Sequence, residues 1–299
     1  GLPGLDQGCA DVRLLSDGSF MVLSGGADLG TGLDTVLAKL AAETLACDFE
    51  NVAVLTGDTD TTPFDKGAYA SSGTFFTGNA VLNAARDLAS KMRVAAAALL
   101  KESPEDVTLS YPSTVKGKTG SLGFQALAQR CAAGDGVGEL VGQASFTTDD
   151  AAFPYAAHFC EVAVNTRTGA VTVRRYHAVH DSGTPINPEL AQGQVYGAIL
   201  KSIGHALYEE MIFDAKGRCL TTSLADYGTP MIQELPADVR VTLVQTDDPF
   251  GPFGGKSVAE ISMNGAAPAL ATAIHDAIGV WIRSWPFTPE KILKALGRL

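Results

Sequence analysis

The chain has 299 residues, 46% of them hydrophobic, and a formal charge of −11 at pH 7. That length and apolar content support a sizeable core in one large or two smaller units. So acidic a chain is a poor partner for nucleic acid or an anionic membrane; no apolar run is long enough for a transmembrane helix, and nothing reads as a signal peptide.

Five cysteines, Cys9, Cys47, Cys131, Cys160 and Cys219, lie far apart with no CxxC pair. An odd count without metal spacing fits reduced thiols in the cytoplasm. It excludes an iron–sulfur cluster held by this chain's own cysteines in a familiar spacing. The chain opens Gly-Leu-Pro-Gly rather than Met, so processing or excision is expected.

In chain order, Cys9–Ser24 predicts a hairpin: Ala10–Leu15, a Ser16-Asp17-Gly18-Ser19 turn, then Phe20–Leu23. The loop Gly25–Gly32 opens a helix with Leu33, Val36, Leu37, Leu40 and Ala41 on one face. Val52–Leu55 is a strand ending in Gly57-Asp58-Thr59-Asp60. A second polar loop, Asp65–Thr74, precedes a long helix from about Gly78 to Leu100. Residues from about 102 to 148 are poorly patterned, and a boundary near 145 divides the chain into subdomains 1–145 and 146–299. A second hairpin pairs His158–Val162 with Ala170–Tyr176, and His177–Asp181 continues it. Asn187 caps a helix with Pro188 at its first position, running to about Glu210. Val239–Gln245 is a strand, and Thr288-Pro289 starts a last short helix. This alternation predicts an α+β fold, mixed sheets and hairpins packed by helices, rather than a doubly wound parallel sheet.

Four places carry the chemistry. Gly30-Thr31-Gly32 and Ala70-Ser71-Ser72-Gly73-Thr74 each precede a helix, where unsatisfied N–H groups suit an anion. Neither matches the dinucleotide or the phosphate-loop pattern, and a GxG before a helix is usually a plain turn. The helix after Asn187 carries Gly193, Gly197 and Gly204, each costly in a helix unless something packs closely there. Gln194 lies between two of them and offers a donor and an acceptor to a heterocycle. Finally, Pro249–Gly255 leads through Lys256-Ser257-Val258-Ala259 to Glu260. Its aromatic and proline residues can keep water from a carboxylate acting as general base; the plain alternative is an acid at a helix start. The five histidines show no metal-ligand spacing and most read as hydrogen-bonded structural residues, and Asp58 with Asp60 as loop capping.

Taken together, these segments resemble the C-terminal part of the molybdopterin-binding subunit of the xanthine dehydrogenase/aldehyde oxidase family of molybdenum hydroxylases. The resemblance runs in order through Asp28–Thr35, Gly57–Asp60 with Ala70–Ser72, and Gly78–Val81. It continues through His158-Phe159, Asp181–Gly183 with Ile186–Pro188, Gly193–Gly197, Lys256–Glu260 and Pro286–Glu290. It implies that Leu29, Gly30, Thr31, Ala70, Ser71, Gly73, Gln194 and Ala259 line the cofactor and that Glu260 is the catalytic base. The implied cofactor is molybdopterin carrying molybdenum, with a cytosine dinucleotide form in some members. The implied reaction is hydroxylation of an N-heterocycle or aldehyde, with iron–sulfur clusters and FAD on partner chains or domains. Thr31 stands where many members have Gln, and Ala259 where Gly commonly precedes the Glu. The family's upstream half, with a further cofactor loop and an arginine-bearing segment, is a second implied partner, so this chain alone is expected to be inactive. A non-catalytic structural or partner-binding subunit is the alternative.

Overall fold

Residues 1–133 and 138–299 are described by a computed structural model, and the elements are those of an α+β protein. They sort into two units. One comprises Gly1–Phe153, Gly183–Asn187 and Thr246–Ser257, the other Pro154–Ser182, Pro188–Gln245 and Val258–Leu299.

In the first unit, β1 (Gly8–Leu14) and β2 (Phe20–Ser24) form the predicted hairpin. Their alternation buries Ala10, Val12, Leu14, Phe20 and Val22. α1 (Leu33–Leu45) buries Leu33, Leu37, Leu40, Ala41 and Leu45, the spacing of one helical face. β3 (Val52–Thr56) returns parallel to β2. α2 (Gly78–Leu100) buries Val81, Ala85, Leu88, Met92 and Ala95 in the same core. β4 (Thr108–Ser110), β5 (Thr114–Lys116) and β6 (Ser121–Gly123) make a small antiparallel sheet. α3 (Phe124–Ala132) and β7 (Val141–Phe146) follow. Three-residue strands are too short to display an alternation, which is why this stretch reads as unpatterned. β7 pairs with β1, Cys9 opposite Ser145 and Gly8 opposite Phe146, completing the order β3-β2-β1-β7. A division at 145 would therefore cut through β7.

In the second unit, β8 (Tyr155–Val164) and β9 (Val171–Asp181) form the second hairpin. Its turn is held by Asn165, whose Oδ1 accepts from Arg167 N and whose carbonyl accepts from Gly169 N. α4 (Pro188–Leu207) and the short α5 (Leu224–Tyr227) precede β10 (Asp238–Val244), which lies parallel to β9. α6 (Ala259–Asn264), α7 (Ala266–Ile278) and α8 (Pro289–Ala295) complete the unit. Val195, Ile199 and Ile203 of α4 and Leu270 and Ile274 of α7 share a core with Tyr176 and Ala178. α4 stops at Leu207, short of the expected Glu210. Its end is set by Gly204, whose carbonyl accepts from both Tyr208 N and Glu209 N.

A pair of histidines occupies this core. His158 Nδ1 lies 2.9 Å from the Tyr176 hydroxyl, and the His158 and His180 rings meet edge to face at 5.0 Å. His180 is fully buried and neither of its ring nitrogens has a hydrogen-bond partner among the described residues, unlike the bonded structural histidines the sequence suggests. Burial, and next the neighbouring His158, push His180 from 6.5 down to about 4; burial also lowers His158.

Two outcomes are expected. A Cβ on Gly142 would lie 2.1 Å from Ala84 O and 2.5 Å from Leu88 N of α2. Gly142→Ala should therefore destabilise the protein by about 1–3 kcal/mol, read from the denaturant midpoint. The histidine pair sets a pH dependence. A neutral buried His binds fewer protons than its unfolded form, so its contribution is complete above about pH 6.5 and is lost as pH falls toward about 4. The slope should reach at most about 1.4 kcal/mol per pH unit for each histidine, and denaturation of His180→Phe should show a shallower slope than the native chain.

Candidate functional site

The candidate residues fall in two groups, one in each unit. In the first unit, the loop before α1 is organised by Asp28. Its Oδ1 accepts from Gly30 N (2.9 Å) and Gly32 N (3.1 Å), and its Oδ2 from Asp34 N (3.2 Å). The N–H groups at the start of α1 that suggested an anion site thus point to the chain's own carboxylate. What the loop presents outward is Leu29, 72% exposed, and Gly30, at φ +86° with nothing within 4 Å of where a Cβ would be. Thr31 is exposed beside them.

The second loop is held more tightly. Asp65 accepts from Gly67 N (2.8 Å) and from the Thr77 hydroxyl (2.7 Å), and Ser72 Oγ donates to Gly67 O (2.7 Å). Ala70 and Ser71 both take left-handed backbone angles, φ 49° and 53°. Each such non-glycine residue costs about 1–3 kcal/mol and persists only where its surroundings over-determine it. Here those surroundings are identifiable. Gly73–Thr77 forms a π-helical turn leading into α2, and a Cβ on Gly73 would press on Leu33, at 3.2 Å from its Cδ1.

Against this loop lies a third, Thr246–Ser257, of the same unit. Ser257 Oγ donates to the Ser71 carbonyl. Asn79 Nδ2 donates to Phe75 O (2.8 Å) and to Phe250 O (3.0 Å). Asp248 Oδ1 accepts from Phe250 N and Gly251 N, and Thr184 N donates to Gly254 O at 2.8 Å. Phe253 adds another left-handed residue at φ 49°. Of these supports, Ser72 and Asn79 lie in segments the sequence singled out, without a role of their own, while Thr184 and Asp248 were not singled out. Asp-x-Gly at 28–30 and at 65–67 is the readable signal, since a short carboxylate turns back on the backbone N–H two residues later. Asp58 does the same for Asp60 N (3.0 Å), as loop capping requires.

In the second unit, Gln194 lies on α4 between Gly193 and Gly197, and both glycines are exposed, with nothing within 4 Å of where a Cβ would stand. Gly204 differs: a Cβ would meet Pro230 and Glu209 at 2.7 Å. Only Gly204 is thus explained by packing inside the unit. Ala259 and Glu260 begin α6, which packs on α4, and Glu260 is exposed. The described residues of its own unit therefore do not supply the water-excluding wall expected around Glu260. Its place in the first turn of α6 suits a negative charge. Among the described residues, no group of three or more His, Cys, Asp or Glu side chains is arranged to hold a metal ion.

The family model for the "Molybdopterin cofactor-binding domain" matches residues 1–236. The chain belongs to this family. The match includes every candidate of the first unit and Gln194, and stops before Ala259 and Glu260. As a member of the molybdopterin cofactor-binding domain family, the chain has relatives across its whole length. It is 55% identical over 299 residues to the "Probable hypoxanthine oxidase XdhD" of Escherichia coli K12, covering all of this chain and 31% of that protein. It is 34% identical over 291 residues to the xanthine dehydrogenase molybdenum-binding subunit of E. coli O157:H7, covering 95% and 39%. Quinoline 2-oxidoreductase from Pseudomonas putida 86 superposes with a TM-score of 0.90 at 29% identity, covering 99% of this chain and 39% of the other. The chain thus spans about a third of the length of these relatives.

The glycines of α4 yield opposite expectations. Gly193→Ala should stabilise the fold by about 0.5–1 kcal/mol, because Ala is the better helix former and space is open. Gly204→Ala should lower the melting temperature, because Pro230 and Glu209 occupy that space. Thermal unfolding of the two variants separates the cases.

Proposed function

We propose that the chain binds molybdopterin with molybdenum and contributes the proton acceptor for oxidative hydroxylation of an N-heterocycle, a purine such as hypoxanthine in the first instance. The observation that carries this is the 55% identity over 299 residues to a relative named as a probable hypoxanthine oxidase. Features of each unit, taken separately, support the reading. Gly30, Gly193 and Gly197 leave open space where a side chain would stand, and the backbone of Ala70 and Ser71 is held in a strained form. Open glycines and fixed backbone let a large polar ring system approach main-chain donors and acceptors closely. Gln194 can give it one donor and one acceptor.

Bound molybdopterin supplies the two-electron oxidising centre. Glu260 has the complementary task. Its carboxylate accepts the proton released as the new carbon–oxygen bond forms, and its position in the first turn of α6 stabilises the charged, proton-accepting form beforehand. Leu29, Gly30, Thr31, Ala70, Ser71, Gly73 and Ala259 hold the cofactor through their backbone, so Thr31 and Ala259 can differ from the common residues while the main chain keeps its path. Iron–sulfur and flavin groups on partner chains or domains would take up the electrons, which fits the naming of other relatives as subunits, among them the gamma subunit of the 6-hydroxypseudooxynicotine dehydrogenase complex. The five cysteines form no disulfide with one another, which fits a cytoplasmic enzyme. No helix among the described residues is long and apolar enough to cross a membrane.

Glu260→Gln keeps the shape and removes the acceptor. In the cofactor-loaded protein, hypoxanthine turnover should fall by about 10²–10⁴ with molybdenum content unchanged. Turnover within a few-fold of the native value would remove Glu260 from the chemistry.

A further inference from the structure

The second unit has another concave feature, and none of the residues assigned to cofactor or proton transfer lines it. α7 ends at Gly279, in left-handed conformation at φ +76°, and the chain from Val280 to Pro286 then bounds a cavity of about 400 Å³. Ala267, Pro268 and Ala271 of α7 and the buried Phe287 form its apolar surface, with Trp281, Ile282 and Trp285 as walls. His205, in the last turn of α4, and Arg283 are its polar members.

Two features mark it as built to receive something. Trp281 and Trp285 are 44% and 60% exposed, and an indole left in water forgoes a large hydrophobic gain. Both are nevertheless held in place. His275 stacks on Trp281 at 4.2 Å and 17°, and the Arg283 guanidinium sits 5.2 Å from the Trp281 ring centre. His205 lies 5.9 Å from Trp285, and Phe287 N donates to Ala206 O at 2.7 Å, anchoring the segment to α4. Rigid aromatic walls lose little freedom when a ligand enters. They select flat rings, and the volume lies within the range of small-molecule sites.

Arg283 sets the charge. No carboxylate lies within ion-pair distance of it among the described residues; the nearby Asp276 pairs with His275 at 3.3 Å. A guanidinium stacked on an indole keeps its in-plane N–H groups available for a carboxylate. In a chain of net charge −11, this is a local site for an anion. We propose that the cavity walled by Trp281 and Trp285 binds a planar aromatic carboxylate, its ring against the indoles and its carboxylate on Arg283.

The probes are indole-3-carboxylate and indole, titrated by calorimetry into the purified protein. Indole-3-carboxylate should bind at least about tenfold more tightly than indole, the margin of one charge-assisted contact. Arg283→Gln should bring it down to the affinity of indole. Trp285→Ala should weaken both, with Trp285→Phe restoring part of the loss as evidence that the fold is intact. Hypoxanthine should displace neither, which separates this cavity from the site of the proposed reaction. Binding of neither probe at millimolar concentration, displacement by hypoxanthine, or an Arg283→Gln variant with native affinity would each overturn the proposal.

Discussion

One carboxamide organises the first unit's loops. Asn79 stands in the first turn of α2, buried, and its Nδ2 donates both backward to Phe75 O and across to Phe250 O. Backward, it closes the π-helical turn that places Gly73 against Leu33. Across, it fixes the Pro249–Gly255 loop, which in turn delivers Ser257 to the Ser71 carbonyl. A side chain with only one of these partners would leave a buried amide or carbonyl unpaired, at a cost of about 1–3 kcal/mol. The left-handed angles at Ala70, Ser71 and Phe253 persist because these bonds leave no relaxed alternative.

Strain and openness are distributed unequally, and the pattern carries meaning. Glycines that the fold itself demands are crowded: Gly142 against α2, Gly204 against Pro230, and Gly183, at φ +64°, against the Gly254 carbonyl. Gly30, Gly193 and Gly197 meet nothing. A helix interior gains stability when such glycines become alanine, so their presence on α4 has no explanation inside the unit. The same division separates His180, whose burial is complete, from Glu260, which is exposed. One is a packing element that must stay neutral, the other a group left in reach of a ligand.

Much of this was legible in the sequence. The hairpins, α1 and the full extent of α2 followed from alternation, helical spacing and turn chemistry at Asp17-Gly18 and Asn165–Gly169; the parallel pairings of β3 with β2 and β10 with β9 did not. The family was legible from the order of short motifs. Three-residue strands in residues 108–123 carried too little pattern to be read. The first unit's borrowing of Gly183–Asn187 and Thr246–Ser257 could not be read either, because it depends on pairings between distant backbone groups such as Thr184 N and Gly254 O. Glycine density on α4 suggested close approach, but only geometry separates Gly204 from Gly193 and Gly197. At the start of α1 the local reason is plain: Asp28, two residues before Gly30, accepts from the N–H groups of Gly30, Gly32 and Asp34.

The 171-residue separation between Asn79 and its acceptor Phe250 has a consequence for synthesis. The hairpin, α1, α2 and β7 all emerge from the ribosome before residue 153, so the sheet and its core can form early. The bond that locks the strained loop must wait for the stretch up to Phe250, roughly five to twenty seconds at ordinary elongation rates. During that interval Asn79 faces water or a transient neighbour, and Ala70 and Ser71 are free to relax. The loops are completed last, by a late-arriving segment, on a scaffold that has already folded around them.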